Sequence, residues 1–328
     1  MAKKHDYSFR ERFAFKTGTP FFHEIRKGGY VTELKAVLRG SLVVSAGTAS
    51  GTALGENPGN LMQRFDIDAV SKGVYPGGKL KSLSPRSVLR RHVFDKGAFQ
   101  KDLSIPAGLT GAAGTFVLNL AFHLRFALPM LARSFETALN TDAYTGLTLQ
   151  MTTGSRDTQF TGNDRTFDFT SVVLDILDFR EAADVPVGVV YDTDVKVPIV
   201  GANNRFPVNG ELPKGESYVD LLWMAETTNQ ALADTIINKI DLLSGTDQFY
   251  SQISDYIKQE NAEWFNDPQA TQTGLYYTPI AKDGLLAGVV RDISGILDVS
   301  DPAAGSDFIT VNSRRVILPQ EFLPAKAA

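Results

Sequence analysis

Gly73-Val74-Tyr75-Pro76-Gly77-Gly78-Lys79 comes within one residue of a phosphate-binding loop, a glycine-rich turn whose backbone N–H groups cradle phosphates. That chemistry needs Ser or Thr directly after the lysine to hold a magnesium ion, and Leu80 stands there instead. Residues 81–85 (Lys-Ser-Leu-Ser-Pro) then delay any helix, so the segment reads as a turn between two elements.

Two aspartate pairs are the next candidates. Asp66 and Asp68 stand two apart, as do Asp192 and Asp194, which places each pair on one face of a strand. Such a pair seats a cation or divides acid and base roles. Phe65 and Ile67 alternate with the first pair, so solvated positions opposite a buried face are the favoured reading, and the same is expected of the second. Glu260 and Glu263 read as surface charge on a helix. The four histidines, His5, His23, His92 and His123, offer no i, i+2 or i, i+4 pair for zinc. No Gly-x-Ser-x-Gly elbow occurs, and the chain has no cysteine, which excludes disulfides, thiolate metal sites and cysteine nucleophiles. No catalytic, cofactor or metal site is therefore expected. Trp223 and Trp264 are expected in a core or between helix and sheet.

The N-terminal 19 residues differ from the rest. Lys3, Lys4, Arg10, Arg12 and Lys16 outnumber Asp6 and Glu11 and are interleaved with Tyr7, Phe9, Phe13 and Phe15. Basic residues among aromatics suit an anionic lipid surface, where each charge contributes about 1 kcal/mol. Docking on a neighbouring subunit and a merely solvating tail are the other readings. The residues singled out for contact are Lys3, Lys4, Phe9, Arg10, Arg12, Phe13 and Lys16.

Composition sets the frame for these candidates. A chain of 328 residues is long enough for about two domains with separate cores. Hydrophobic residues make up 43% and charged residues 21%, which is right for a folded chain and wrong for disorder. A net charge of −4 gives no electrostatic signature for nucleic acid, so direct, specific nucleic-acid binding is not expected. The N-terminus has no apolar segment of the secretory kind, and no run approaches the roughly 20 apolar residues of a membrane span. Synthesis in a cytoplasm is expected.

The elements that must position everything are strands. Phe116, Leu118, Leu120, Phe122, Leu124 and Phe126 alternate with Val117, Asn119, Ala121, His123 and Arg125, a period of two that a helix would scatter. The same period predicts strands through 34–45, 64–69, 147–152, 172–179, 189–200, 219–225, 231–243, 275–280, 295–299 and 308–318. Helical signals are scarce. Ser84-Pro85 is an N-cap followed by an N1 proline and opens a helix to Phe94. Residues 251–265 carry a second, stopped by Asp267-Pro268.

The chain also repeats itself. Lys27-Gly28-Gly29-Tyr30-Val31 returns as Lys214-Gly215-Glu216-Ser217-Tyr218-Val219, and residues 142–149 (DAYTGLTL) return as 292–299 (DISGILDV). Each predicted helix follows a strand and a glycine turn, so a third pair keeps the same order. Repetition at this long period means two similar domains, since solenoid units run roughly 20–50 residues. The junction is expected within 180–188. The division is an arm over 1–19, a first domain over 20–184 and a second over 185–328.

Residues 212–226 and 231–265, with 136–154 in the first half, resemble the double jelly-roll major capsid proteins of membrane-containing icosahedral bacteriophages, of tectivirus and corticovirus type. The resemblance is one of strand order and turn placement and spans nearly the whole chain. It implies an all-β fold, two tandem eight-stranded jelly rolls each with a short inserted helix. It further implies a capsid subunit whose homotrimers are pseudo-hexagonal, with six similar lobes. These would tile an icosahedral shell around an internal membrane and meet neighbouring trimers, penton proteins and minor capsid or membrane proteins in the virion. A tandem β-sandwich carbohydrate-binding module or adhesin is the alternative. A carboxylate-based glycosidase, which needs two facing carboxylates in a cleft, comes third.

Overall fold

The computed structural model describes residues 8–55, 59–73, 76–96, 111–128, 137–181, 188–208, 212–265, 273–281, 292–300 and 307–317. The first half runs β1 (Ser8–Ala14), β2 (Pro20–Glu24), β3 (Tyr30–Ser45), β4 (Thr52–Ala53), β5 (Met62–Ser71), β6 (Gly78–Leu83) and α1 (Pro85–Lys96). It continues through β7 (Gly114–Arg125), β8 (Leu139–Asn140), β9 (Tyr144–Thr153), β10 (Phe160–Thr161), β11 (Thr166–Asp168) and β12 (Val173–Glu181). The second half runs β13 (Val189–Pro198), β14 (Asn203–Pro207), β15 (Ser217–Glu226), β16 (Ile237–Ser244) and β17 (Asp247–Ile253). Then come α2 (Ser254–Phe265), β18 (Leu275–Pro279), β19 (Ser294–Val299) and β20 (Phe308–Ile317).

The pairing shows what is duplicated. In the first half, one sheet places β1, β12, β3 and β7 side by side, and β2, β9, β5 and β6 adjoin in another. In the second half, β13, β20, β15 and β18 adjoin, and so do β14, β19, β16 and β17. With the short strands β4, β8, β10 and β11 set aside, the main strands of each half take the order 1-8-3-6 in one sheet and 2-7-4-5 in the other. That shared order is an eight-stranded jelly roll, and the chain is a double jelly roll. The repeated phrases fall on equivalent strands: Tyr30 and Ser217 open the third strand of each half, and Tyr144 and Ser294 open the seventh.

Each roll has its own core. Leu34, Ala36, Leu38, Leu42 and Val44 of β3 are buried with Leu118, Leu120, Phe122 and Leu124 of β7, as their alternation requires. The second core gathers Leu221, Trp223, Ile240, Leu242, Leu297, Ile309 and Val311. Full burial of such side chains contributes about 1.5–3 kcal/mol each. Both helices follow the fifth main strand of their half. The Ser84 hydroxyl accepts the Ser87 N–H at 3.1 Å and caps α1 as the sequence predicts. Helix α2 begins at Ser254 rather than 251, because 247–253 belong to the edge strand β17. The strand predicted over 231–243 likewise begins only at Ile237.

Gly40 interrupts the longest strand with φ +133°, and a Cβ there would lie 2.0 Å from the Ser171 carbonyl oxygen. Both the conformation and the backbone approach need glycine. Gly40→Ala is expected to cost about 2 kcal/mol or more and to lower the thermal midpoint. Calorimetry on the purified variant checks this.

Candidate functional site: an ionic junction and two assembly surfaces

The two rolls are joined edge to edge. Strands β6 and β13 pair in parallel through Lys81↔Asp192 and Ser82↔Thr193, which fuses two four-stranded sheets into one of eight strands. Behind that seam, β15 and β20 are buried on both faces. Leu221, Trp223, Ile309 and Val311 enter the second core. Asp220, Glu226, Asn312 and Arg314 point the other way and meet α1 of the first roll.

Helix α1 suits this position because it has two faces. Val88 and Leu89 enter the first core, whereas Phe94 lies 5.0 Å from the Tyr277 ring, stacked at 8° beside Leu222 and Met224. Arg91 pairs with Asp220 and donates from Nε to Asn312 Oδ1 at 2.6 Å. Arg314 grips Asp95 with two hydrogen bonds, Nη1–Oδ1 at 2.5 Å and Nη2–Oδ2 at 2.7 Å. Lys81 reaches Asp192 at 3.4 Å, and Asn312 Nδ2 donates to Asp192 Oδ1 at 2.7 Å. Arg86 pairs with Glu226. The arrangement holds the two rolls in one register, because any other alignment leaves buried charges without partners.

The expectation that Asp192 and Asp194 are solvated is corrected here. Asp192 is 3% exposed, and Asp194 accepts the Ser84 N–H at 2.6 Å. Their strand does alternate, but its polar face looks into the other roll rather than into water. Asp66 is also buried, held by Ser82 at 2.5 Å, whereas Asp68 is exposed. Gly78 opens β6 and Lys79 follows, pairing with Asp66 at 3.2 Å, so this end of the near phosphate loop is strand; residues 74–75 lie outside the described residues. His92 and His123 stack at 4.3 Å beside Glu33 and Arg125. Burial pulls the His123 imidazole down, against the hydrogen bond and charge of Glu33.

Burial and charge compete at each carboxylate of the junction. Burial alone raises Asp95, but Arg314, with Arg125 and Arg91, overcomes it and holds the carboxyl well below the usual range. Asp192 is likewise lowered, with Lys81 and Arg314 outweighing burial. At Asp194, Asp220 and Glu226 burial wins and the carboxyls are raised. The signs are opposite. Asp95 and Asp192 contribute stability that is full above the unfolded carboxylate value of about 3.9 and is lost as pH falls through their lower folded values. The raised groups contribute stability below that value and lose it as pH rises through their folded values. Between about pH 4 and pH 2, the wild-type thermal midpoint is therefore expected to fall more steeply than that of Asp95→Asn. Circular dichroism melts at several pH values read this directly.

A cleft of about 400 Å³ opens along the seam, lined in part by Arg86, Asp194, Lys196, Glu226 and Gln230. Both acids are engaged within the chain, Asp194 by Ser84 and Asn312 and Glu226 by Arg86 and Thr310. Among the described residues, no group of three His, Asp or Glu side chains is placed to hold a metal ion.

Two surfaces remain outside the junction. The first is the sheet led by β1. Of the N-terminal candidates, Lys3 and Lys4 lie outside the described residues, and Phe9, Arg10, Arg12 and Phe13 lie in β1, which pairs with β12. Arg12 and Arg39 both donate from Nε to Asp175 at 2.6 Å, and Arg10 donates to Asp178 at 2.6 Å. Phe13 packs on the first core, 5.2 Å from the Phe21 ring, while Phe9 and Lys16 are exposed. The second surface is α2 with β17, where Phe249, Ile253, Tyr256 and Trp264 are each 41–57% exposed. Trp223 is in the core as expected, but Trp264 is not.

No family model matches the chain, and no curated protein sequence matches it. Solved structures do. The crystal structure of the STIV MCP is similar over 98% of this chain and 99% of that one, with TM-score 0.72 and 16% identity. The atomic structure of Sulfolobus Turreted Icosahedral Virus gives 0.73 at 15% identity, over 98% and 94% of the two chains. The crystal structure of the major capsid protein P2 from Bacteriophage PM2 gives 0.55 at 10% identity, over 95% and 98%. At these identities the likeness is one of fold, and it extends over both rolls.

Proposed function

We propose that this chain is a viral major capsid protein, a structural subunit whose homotrimers form pseudo-hexagonal capsomers. These tile an icosahedral shell around an internal lipid membrane. The observation that carries the reading is the duplication: two rolls of one topology, fused through a single sheet, over the full extent of the matched capsid structures. Three such chains in a ring present six similar lobes, which tile a flat facet. The sequence stretches 1–19, 20–184 and 185–328 act as arm, first roll and second roll, with 8–14 also serving as the first roll's leading strand. Lys3, Lys4 and Lys16, with Phe9, Arg10 and Arg12, face lipid or a neighbouring subunit, whereas Phe13 packs on the first core. Partners are further copies, penton proteins and minor capsid or membrane proteins. The protein is made in the host cytoplasm and resides in the virion, and it performs no enzymatic reaction. The alternative of a carbohydrate-binding module or adhesin finds no support among the matched structures.

Light scattering on the purified full chain tests this. The expected mass is three times the 35.8 kDa of one chain. A monomer throughout the micromolar range would overturn the proposal.

A further inference from the structure

The two helices stand at the same point of the two rolls. Val88 and His92 of α1 are buried, and the residues 169 positions later in α2, Ile257 and Asn261, are buried too. The same offset carries the junction-forming residues Arg86, Arg90, Arg91, Phe94 and Asp95 onto Asp255, Gln259, Glu260, Glu263 and Trp264. The first set is largely buried against the second roll, and every member of the second set is exposed. The sheets show the converse. The outward face of β13, β20, β15 and β18 is covered by α1, whereas on the equivalent sheet Arg12, Arg39, Val43 and Val117 are exposed, while its end at Glu33, His123 and Arg125 is buried.

Charge is inverted between the used and unused surfaces. Helix α1 brings Arg86, Arg90 and Arg91 to a sheet face carrying Asp192, Asp194, Asp220 and Glu226. Helix α2 instead presents Asp255, Glu260 and Glu263, and the open sheet face carries Arg12, Lys35 and Arg39 around Asp175. Strands β17 and β1 also end their sheets, as β6 and β13 would without each other.

Resting on the capsid reading above, we infer that the α2–β17 surface docks on the outward β12–β3–β7 face of a second copy, repeating between chains the contact that α1–β6 makes within one. Such a contact is heterologous, joining two different patches, and closes into a ring when its rotation permits. The inverted charges exclude the wrong match, because α1 cannot replace α2 against a basic face. The bulged residues Thr32 and Val219 are equivalent, which puts Arg39 at the place of Glu226; since Arg86 pairs with Glu226, Asp255 meets Arg39 of the neighbour.

Charge reversal tests the contact in the full chain. Asp255→Arg and Arg39→Glu are each expected to lose the oligomer at concentrations where the wild type is assembled, the first with an unchanged thermal midpoint. The double variant is expected to recover it. Because the chain has no cysteine, Trp264→Cys combined with Val37→Cys supplies a fold-independent second measurement. A short bismaleimide should link chains to one another in that variant and in neither single variant. A wild-type oligomer that is indifferent to both reversals and yields no cross-link overturns this interface and leaves the trimer standing. A monomeric wild type overturns both.

Discussion

Arg314→Leu is expected to lower stability by about 3–5 kcal/mol, the usual consequence of removing one partner from a buried ion network. The guanidinium is 2% exposed and stands among three carboxylates, with Asp95 at 2.5 Å, Asp192 at 3.5 Å and Asp220 at 3.9 Å. Its removal leaves Lys81, Arg91 and Arg125 to neutralise all three from less direct positions. The cost arises from stranded charge, not from a large net worth of the pairs, since desolvating both partners offsets most of their attraction. Urea unfolding beside Arg156→Leu makes the comparison, because Arg156 and Asp157 form an exposed pair worth about 1 kcal/mol at most. Equal midpoint shifts for the two variants would remove the ionic junction as the lock between the rolls.

That junction is also the part of the fold least legible in the sequence. Alternation in Phe116–Phe126 specifies β7 because one face is plainly apolar, and the Ser84-Pro85 entry specifies α1 because a cap is a local device. The echoed turns fall on equivalent strands for the same reason: each needs only its own neighbours in sequence. Asp192 and Asp194 are different. A strand whose polar face meets water and one whose polar face meets charged partners have the same period of two. Here the partners lie 111 residues away for Lys81 to Asp192, 129 for Arg91 to Asp220 and 219 for Asp95 to Arg314. The available signal was the clustering of Arg86, Arg90 and Arg91 on one helix, an unusual load for a surface with few acids nearby. In the N-terminal segment a bulge after Phe9 turns that ring outward while Phe13 packs inward, so the aromatics break the period of two, and the surrounding basic residues resemble an arm.

The two tryptophans divide the fold from the assembly. Trp223 is fully buried in the central strand β15, its Nε1 donates to Thr278 Oγ1 at 3.2 Å, and a Cβ on Gly295 would lie 3.4 Å from its ring. Trp223→Ala empties that space and leaves the Thr278 hydroxyl without its donor. The expected loss is about 3–5 kcal/mol, seen as a large fall in the urea midpoint. Trp264 is 50% exposed at the far end of α2, and Trp264→Ala should change monomer stability by about 0.5 kcal/mol or less. Its expected effect is on mass, not on melting: weakened assembly in light scattering, with an unchanged thermal midpoint. A Trp264→Ala variant that melts early but assembles normally would place this side chain in the fold and remove it from the interface. The reverse result ties the second helix to a neighbour, as the first is tied to its own chain.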